Sequence, residues 1–171
     1  SSVNDSRKFQ VKNWACGYDI LSGDCTYRPT GEGKIITEKD GVTETAVGIW
    51  GPKDSNNLHG AWAFIGKGKR VIEKDGVLVT REGTWGLKDP NNLQGAMGLT
   101  GKGKIIIEKD WGTRTDEGIW GPKDSNNLHG AWTLTGEGKI ITVKDGGTKA
   151  EIGIWGPKDP NNLKGAWIFT G

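Results

Sequence analysis

Lys34-Ile35-Ile36-Thr37-Glu38-Lys39 is a β-branched run, Asp40-Gly41 is the two-residue signal of a tight hairpin, and Thr43 to Trp50 runs back as a second strand. Gly51-Pro52-Lys53-Asp54-Ser55-Asn56-Asn57 follows, a loop made of turn-forming residues. A further strand is predicted from about Leu58 through Gly66 and Gly68, where glycines inside a strand signal a bend, a bulge or the close approach of another group.

Outward from this stretch the same text recurs. Gly-Ile-Trp-Gly at 48–51 returns at 83–86 (with Thr84 for Ile), 118–121 and 153–156, so that Trp50, Trp85, Trp120 and Trp155 stand 35 residues apart. The copies span 31–65, 66–100, 101–135 and 136–171, after an N-terminal segment, 1–30, in which Phe9 to Trp14 is a predicted strand and Thr26-Tyr27-Arg28-Pro29 leads into the first copy. Two long bent strands per copy, or three short ones if the glycines break pairing, predict a single all-β domain over 1–171. The expected architecture is an antiparallel barrel of about ten strands, because closure removes sheet edges. A small β-propeller is the alternative, although 35 residues is short against the roughly 40 of a four-stranded blade.

Composition agrees with many turns and little aliphatic core: 29 Gly and 9 Trp, with 33% of residues hydrophobic. The net charge of +2 is scattered through every copy, which predicts no nucleic-acid partner. No apolar run reaches the roughly 18 residues of a membrane helix, and no signal peptide is recognisable, so membrane insertion is not expected and a mature form is. Cys16 and Cys25 read as a short disulfide loop, since two cysteines without nearby histidine make a poor zinc site. With the sequon Asn4-Asp5-Ser6, they favour a secreted or extracellular protein.

Comparing the copies separates the tryptophans. Leu58, Gly60, Trp62 and Phe64 alternate as one apolar face, and position 97 carries Met where other copies carry Trp, as a space-filling core position would. The face reading Glu44, Ala46, Gly48, Trp50 has Arg81, Asp116 or Glu151 among its equivalents and is predicted to be solvated. Trp50, Trp85, Trp120 and Trp155 then become exposed platforms beside Gly51, Gly86, Gly121 and Gly156, suited to stacking on a sugar ring. The competing expectation is that they plug the ends of the barrel. Trp111, in place of a turn glycine, has no clear role, and Trp14 is expected to pack on the N-terminal strand.

Other motifs are weaker. Lys-Asp-Ser-Asn-Asn offers oxygen atoms but lacks the bidentate Glu of a strong calcium loop, so Asp54 and Asn57 are predicted to cap their own backbone, and no metal or other cofactor is expected. His59 and His129 are replaced by Gln94 and Lys164 in the other copies, as polar surface would be. Nearly every polar group recurs, so a unique catalytic constellation is absent and no enzyme is predicted; several similar weak sites acting together are.

The run Leu128-His129-Gly130-Ala131-Trp132-Thr133-Leu134-Thr135-Gly136-Glu137-Gly138, followed by a hairpin ending in Trp155-Gly156, resembles the repeat of the Oscillatoria agglutinin type of lectins. That resemblance implies a compact β-barrel binding high-mannose glycans, with a Trp-Gly loop and the Glu of a Gly-Glu-Gly turn at the sugar site. It places one wall of each site at Trp50-Gly51, Trp85-Gly86, Trp120-Gly121 and Trp155-Gly156. The other wall falls at Glu32 and Glu137, with Lys67 and Lys102 at the equivalent positions of the middle copies. Pro52, Leu87, Pro122 and Pro157 stand where the family has a second glycine, and the family's repeat is about twice as long. The expectation is therefore a multivalent carbohydrate-binding protein whose partners are glycans or glycoproteins. The alternatives are a structural or adhesive matrix protein and a barrel carrying a small ligand.

Overall fold

A computed structural model describes residues 5–171, so Asn4 of the sequon lies outside the described residues. Ten strands follow one another as β1 (Ser6–Tyr18), β2 (Cys25–Lys39), β3 (Val42–Pro52), β4 (Trp62–Lys74), β5 (Val77–Leu87), β6 (Met97–Lys109), β7 (Gly112–Pro122), β8 (Trp132–Lys144), β9 (Gly147–Pro157) and β10 (Trp167–Thr170). All pair antiparallel with their chain neighbours in one sheet, in the order of the sequence.

The strands are long because the glycines bend them without ending them. Gly31, Gly66, Gly101 and Gly136 take φ between 70° and 75°, which a side chain resists, and the pairing register shifts beside each of them. Three hairpins close on Asp40-Gly41, Asp75-Gly76 and Asp145-Gly146 with both residues at positive φ, the geometry that matches strand twist. In the third copy Trp111 replaces the turn glycine; neither it nor Asp110 takes positive φ, and the irregularity passes to Gly112 at φ 142°.

Neither the expected barrel nor the propeller alternative is what the strand pairing shows. The sheet is open, with β1 and β10 as its outer strands among the described residues, and no four-stranded blades separate. β1 pairs only with β2 and β10 only with β9, so the hydrogen-bonded seam that a barrel needs between the first and last strands is not formed among the described residues. The accessible surface of 10724 Å² agrees with an open sheet, since a compact chain of this mass exposes roughly 8,200 Å².

The loops form a second line of order along one end of the strands. In each, Asp54, Asp89, Asp124 or Asp159 accepts from the backbone N–H two residues on, at 2.9–3.0 Å, as the turn reading expects. Lys53, Lys88 and Lys123 then reach into the next copy and donate to the carbonyls of Gly95, Gly130 and Gly165 at 2.7, 3.4 and 2.9 Å. Arg28 of β2 donates in the same way to Gly60, which ties the N-terminal segment to the first loop. Cys16 and Cys25 are joined as a disulfide with Cα atoms 5.3 Å apart, within the range the bond requires. In the loop between them Asp19 accepts from Leu21 N–H at 2.9 Å, and that bond holds its carboxyl below the usual carboxylate range.

Leu58 belongs to a loop rather than a strand and is 52% exposed, which corrects the start of the predicted strand. Trp62, Trp132 and Trp167 also do more than fill space: each indole N–H donates to the loop carbonyl four residues earlier, at 3.3, 2.9 and 3.0 Å. Met97 has no N–H to give. The variant Met97→Trp is expected to gain the missing bond to Leu93 and about 1 kcal/mol of stability. That corresponds to a rise in the unfolding midpoint of about 2–4 °C by calorimetry, and an unchanged midpoint would contradict the role of this bond.

Candidate functional site

A single sheet has two faces, and its register decides which residues share one. Trp50 stands directly opposite Phe64, Trp85 opposite Leu99, Trp120 opposite Leu134 and Trp155 opposite Phe169. The two tryptophan classes distinguished in the sequence therefore lie on one face, and that face is the packed one. Leu99, Trp120 and Leu134 form its buried cluster, with Trp85, Ile105 and Trp155 against them. The expected exposed platforms are corrected accordingly: Trp120 is 7% exposed, and Trp50, Trp85 and Trp155 are half-buried.

The glycines explain how so large a ring is accommodated. Gly33, Gly48, Gly68, Gly83, Gly103, Gly118, Gly138 and Gly153 form a belt across the middle of β2 to β9. The indole of Trp120 reaches back over Gly103 and Gly83 and donates to the Glu82 carbonyl at 3.4 Å; that of Trp155 covers Gly138 and Gly118 and donates to Glu117 at 2.8 Å. In the first copy the Phe64 ring occupies the same seat over Gly48 and Gly68. Trp85 is displaced onto the edge of Phe64, ring centroids 5.2 Å apart, and its buried indole N–H has no protein partner. The charges that suggested a solvated face do share it, but beyond the glycine belt. There Arg70 pairs with Glu44 at 2.7 Å and its guanidinium lies 5.0 Å from the Trp85 ring, while Arg114 pairs with Asp116 at 2.7 Å.

The opposite face is hollow at the belt. Two adjoining grooves of about 910 and 660 Å³ run across the strands, with the belt glycines in their floors and Glu82, Gly83 and Lys102 common to both. Glu32 and Lys67 line the larger, Glu137 the smaller, and Lys102 both. These four predicted site residues are thus brought to one continuous channel, while no tryptophan lines it. Gly51 and Gly121 turn the same way as the channel, toward Ile65 and Thr135, and Gly86 toward Thr100. The backbone of the sheet therefore separates the Trp and Glu/Lys walls of each expected site. The reason is elementary, since a Trp and the residue beside it in a strand point to opposite faces.

Residues the sequence reading passed over complete the channel. Lys34, Lys69, Lys104 and Lys139, the last residues of the four Gly-Glu/Lys-Gly-Lys segments, line it. Ile49 and Ile119 line it too and are 37% and 44% exposed. The signal was present: Glu32 and Lys34 are two apart, and so are Lys67 and Lys69, so each pair shares a face. Lys104 approaches Glu82 at 4.0 Å and Lys139 approaches Glu117 at 3.4 Å, exposed pairs worth little individually. The arrangement offers ammonium and carboxylate groups, a few apolar side chains and bare backbone at regular intervals. Among the described residues no group of three or more His, Cys, Asp or Glu gathers to hold a metal ion, and no helix is long and apolar enough to cross a membrane. No protein-family model, curated protein or solved structure matches the chain.

Proposed function

We propose that this is a multivalent carbohydrate-binding protein of the extracellular space, whose sites lie along the glycine-floored channel rather than on tryptophan platforms. One observation carries the reading: the same lysine and glutamate-or-lysine positions recur on every second strand of an open channel, with Ile49, Thr84 and Ile119 on the strands between them, and the channel is long enough for several sugar units. Hydroxyls are met by the charged groups, and the C–H faces of the rings by Ile49 and Ile119. Weak identical contacts add through multivalency. The disulfide supports an oxidising compartment.

A glycan array, followed by calorimetry with each hit, tests this. Ile119→Ala and Ile49→Ala alter exposed side chains and are expected to leave the fold intact while weakening the hit several-fold. Trp120→Phe changes only the packed face and is expected to leave binding unchanged. Binding lost in a folded Trp120→Phe protein, and kept in the isoleucine variants, would remove the site from the channel.

A second reading, a structural or adhesive repeat protein, is favoured by the inward-facing indoles and by the lysine bonds that tie each loop to the next. It predicts an empty array. The small-ligand reading needs an enclosed interior, which the open sheet does not supply.

A further inference from the structure

The two halves of the channel differ in charge. In the smaller groove Lys102, Lys104 and Lys139 face Glu82, Glu117 and Glu137 in equal number. The larger carries Lys12, Lys34, Lys67, Lys69 and Lys102 against only Glu32 and Glu82. Lys34, Lys67, Lys69 and Lys102 make no ion pair among the described residues, whereas Lys104 and Lys139 of the smaller groove both do. A molecule of net charge +2 thus concentrates uncompensated positive charge in one open trough.

We infer that the larger groove takes an acidic polysaccharide, laid across the strands with its carboxylate or sulfate groups on these lysines. The inference rests on the carbohydrate reading above and names the class of glycan. Spacing supports it. Lys34 and Lys69 stand at equivalent positions two strands apart, with Val47 of the intervening strand between them. At about 4.8 Å per strand, that places ammonium groups roughly 10 Å apart across the sheet, the length of one disaccharide unit in an extended chain. Single-stranded nucleic acid is a poorer match, because no aromatic side chain lines the groove for bases to stack on. The crowding of like charges favours an anion over a neutral sugar.

The chain's own copies supply the test. Glu stands at 32 and 137 where the middle copies have Lys67 and Lys102, opposite the residue preceding the Trp in every case. The double variant K67E/K102E therefore places in the middle copies what the outer ones already accommodate. Calorimetry would compare a sulfated uronate octasaccharide with a neutral β-1,4-glucan oligomer of the same length. K109E/K144E, at exposed lysines near the hairpin turns, is the control for the same change in net charge. The expected result is a preference of about tenfold or more for the acidic oligomer at low salt, shrinking as salt rises. K67E/K102E abolishes the preference, while K109E/K144E and binding of the neutral oligomer change little. Equal binding of both oligomers, indifferent to K67E/K102E, overturns the acidic assignment and leaves the carbohydrate reading standing. No binding of either overturns both, as does binding of a DNA oligonucleotide without any saccharide.

Discussion

Trp120→Ala is expected to cost about 3–5 kcal/mol, the largest loss from any single truncation in this chain. Trp120 is 7% exposed, packs with Leu99 and Leu134, lies over Gly83 and Gly103, and donates to the Glu82 carbonyl at 3.4 Å. Truncation removes the ring's apolar burial and leaves a trough over two glycines that have no side chains to fall into it. A native domain holds only about 5–15 kcal/mol in all, so the variant should unfold at far lower urea. Trp14, 45% exposed and touching chiefly Phe9 at 5.7 Å, is the comparison, with an expected cost of about 1 kcal/mol or less on truncation. Equal midpoints for the two variants would show that the indole face is not the core.

Gly103→Val attacks the same contact from below. A Cβ built there would overlap the Trp120 indole and stand 2.5 Å from the backbone carbonyl of Glu82, which cannot rotate away. The ring would have to leave its seat and give up its hydrogen bond, at an expected cost of about 3 kcal/mol or more. Gly41→Ala separates this from simple backbone strain: it has φ 78° but nothing within 4 Å of an added Cβ, so about 1–2 kcal/mol is expected. Denaturation of both variants by urea, followed by circular dichroism, reads the difference. If Gly41→Ala proved as damaging as Gly103→Val, the glycine belt would be there for its conformation and not for the rings above it.

Together these expectations recast the strand glycines, which the sequence marks as bends or close approaches. Both occur, at different residues. Gly31, Gly66, Gly101 and Gly136 bend the strands with positive φ, while Gly103 and its equivalents admit a ring on one face and floor a channel on the other. A substitution in the belt therefore strikes the rings of the packed face, whereas the lysine variants alter side chains that reach only the channel.

The sequence by itself determined the repeat, the Asp-Gly hairpins, the polar loops and a count of about ten strands, because all of these depend on local chemistry: turn residues, β-branched runs and spacing. It also placed Glu32, Lys67, Lys102 and Glu137 at equivalent positions, and these do share one channel. Only the tertiary structure decided on which face the tryptophans lie and whether the sheet closes. Period-two alternation says which residues of one strand point together, but the register between strands says which of two neighbours' faces coincide, and here that register is offset by bulges. Glu44 and Arg81 made the Trp face look solvated because a linear pattern cannot show that charges and indoles sit on opposite sides of a glycine belt. Closure depends on whether the first and last strands pair edge to edge, a long-range match that no local pattern encodes.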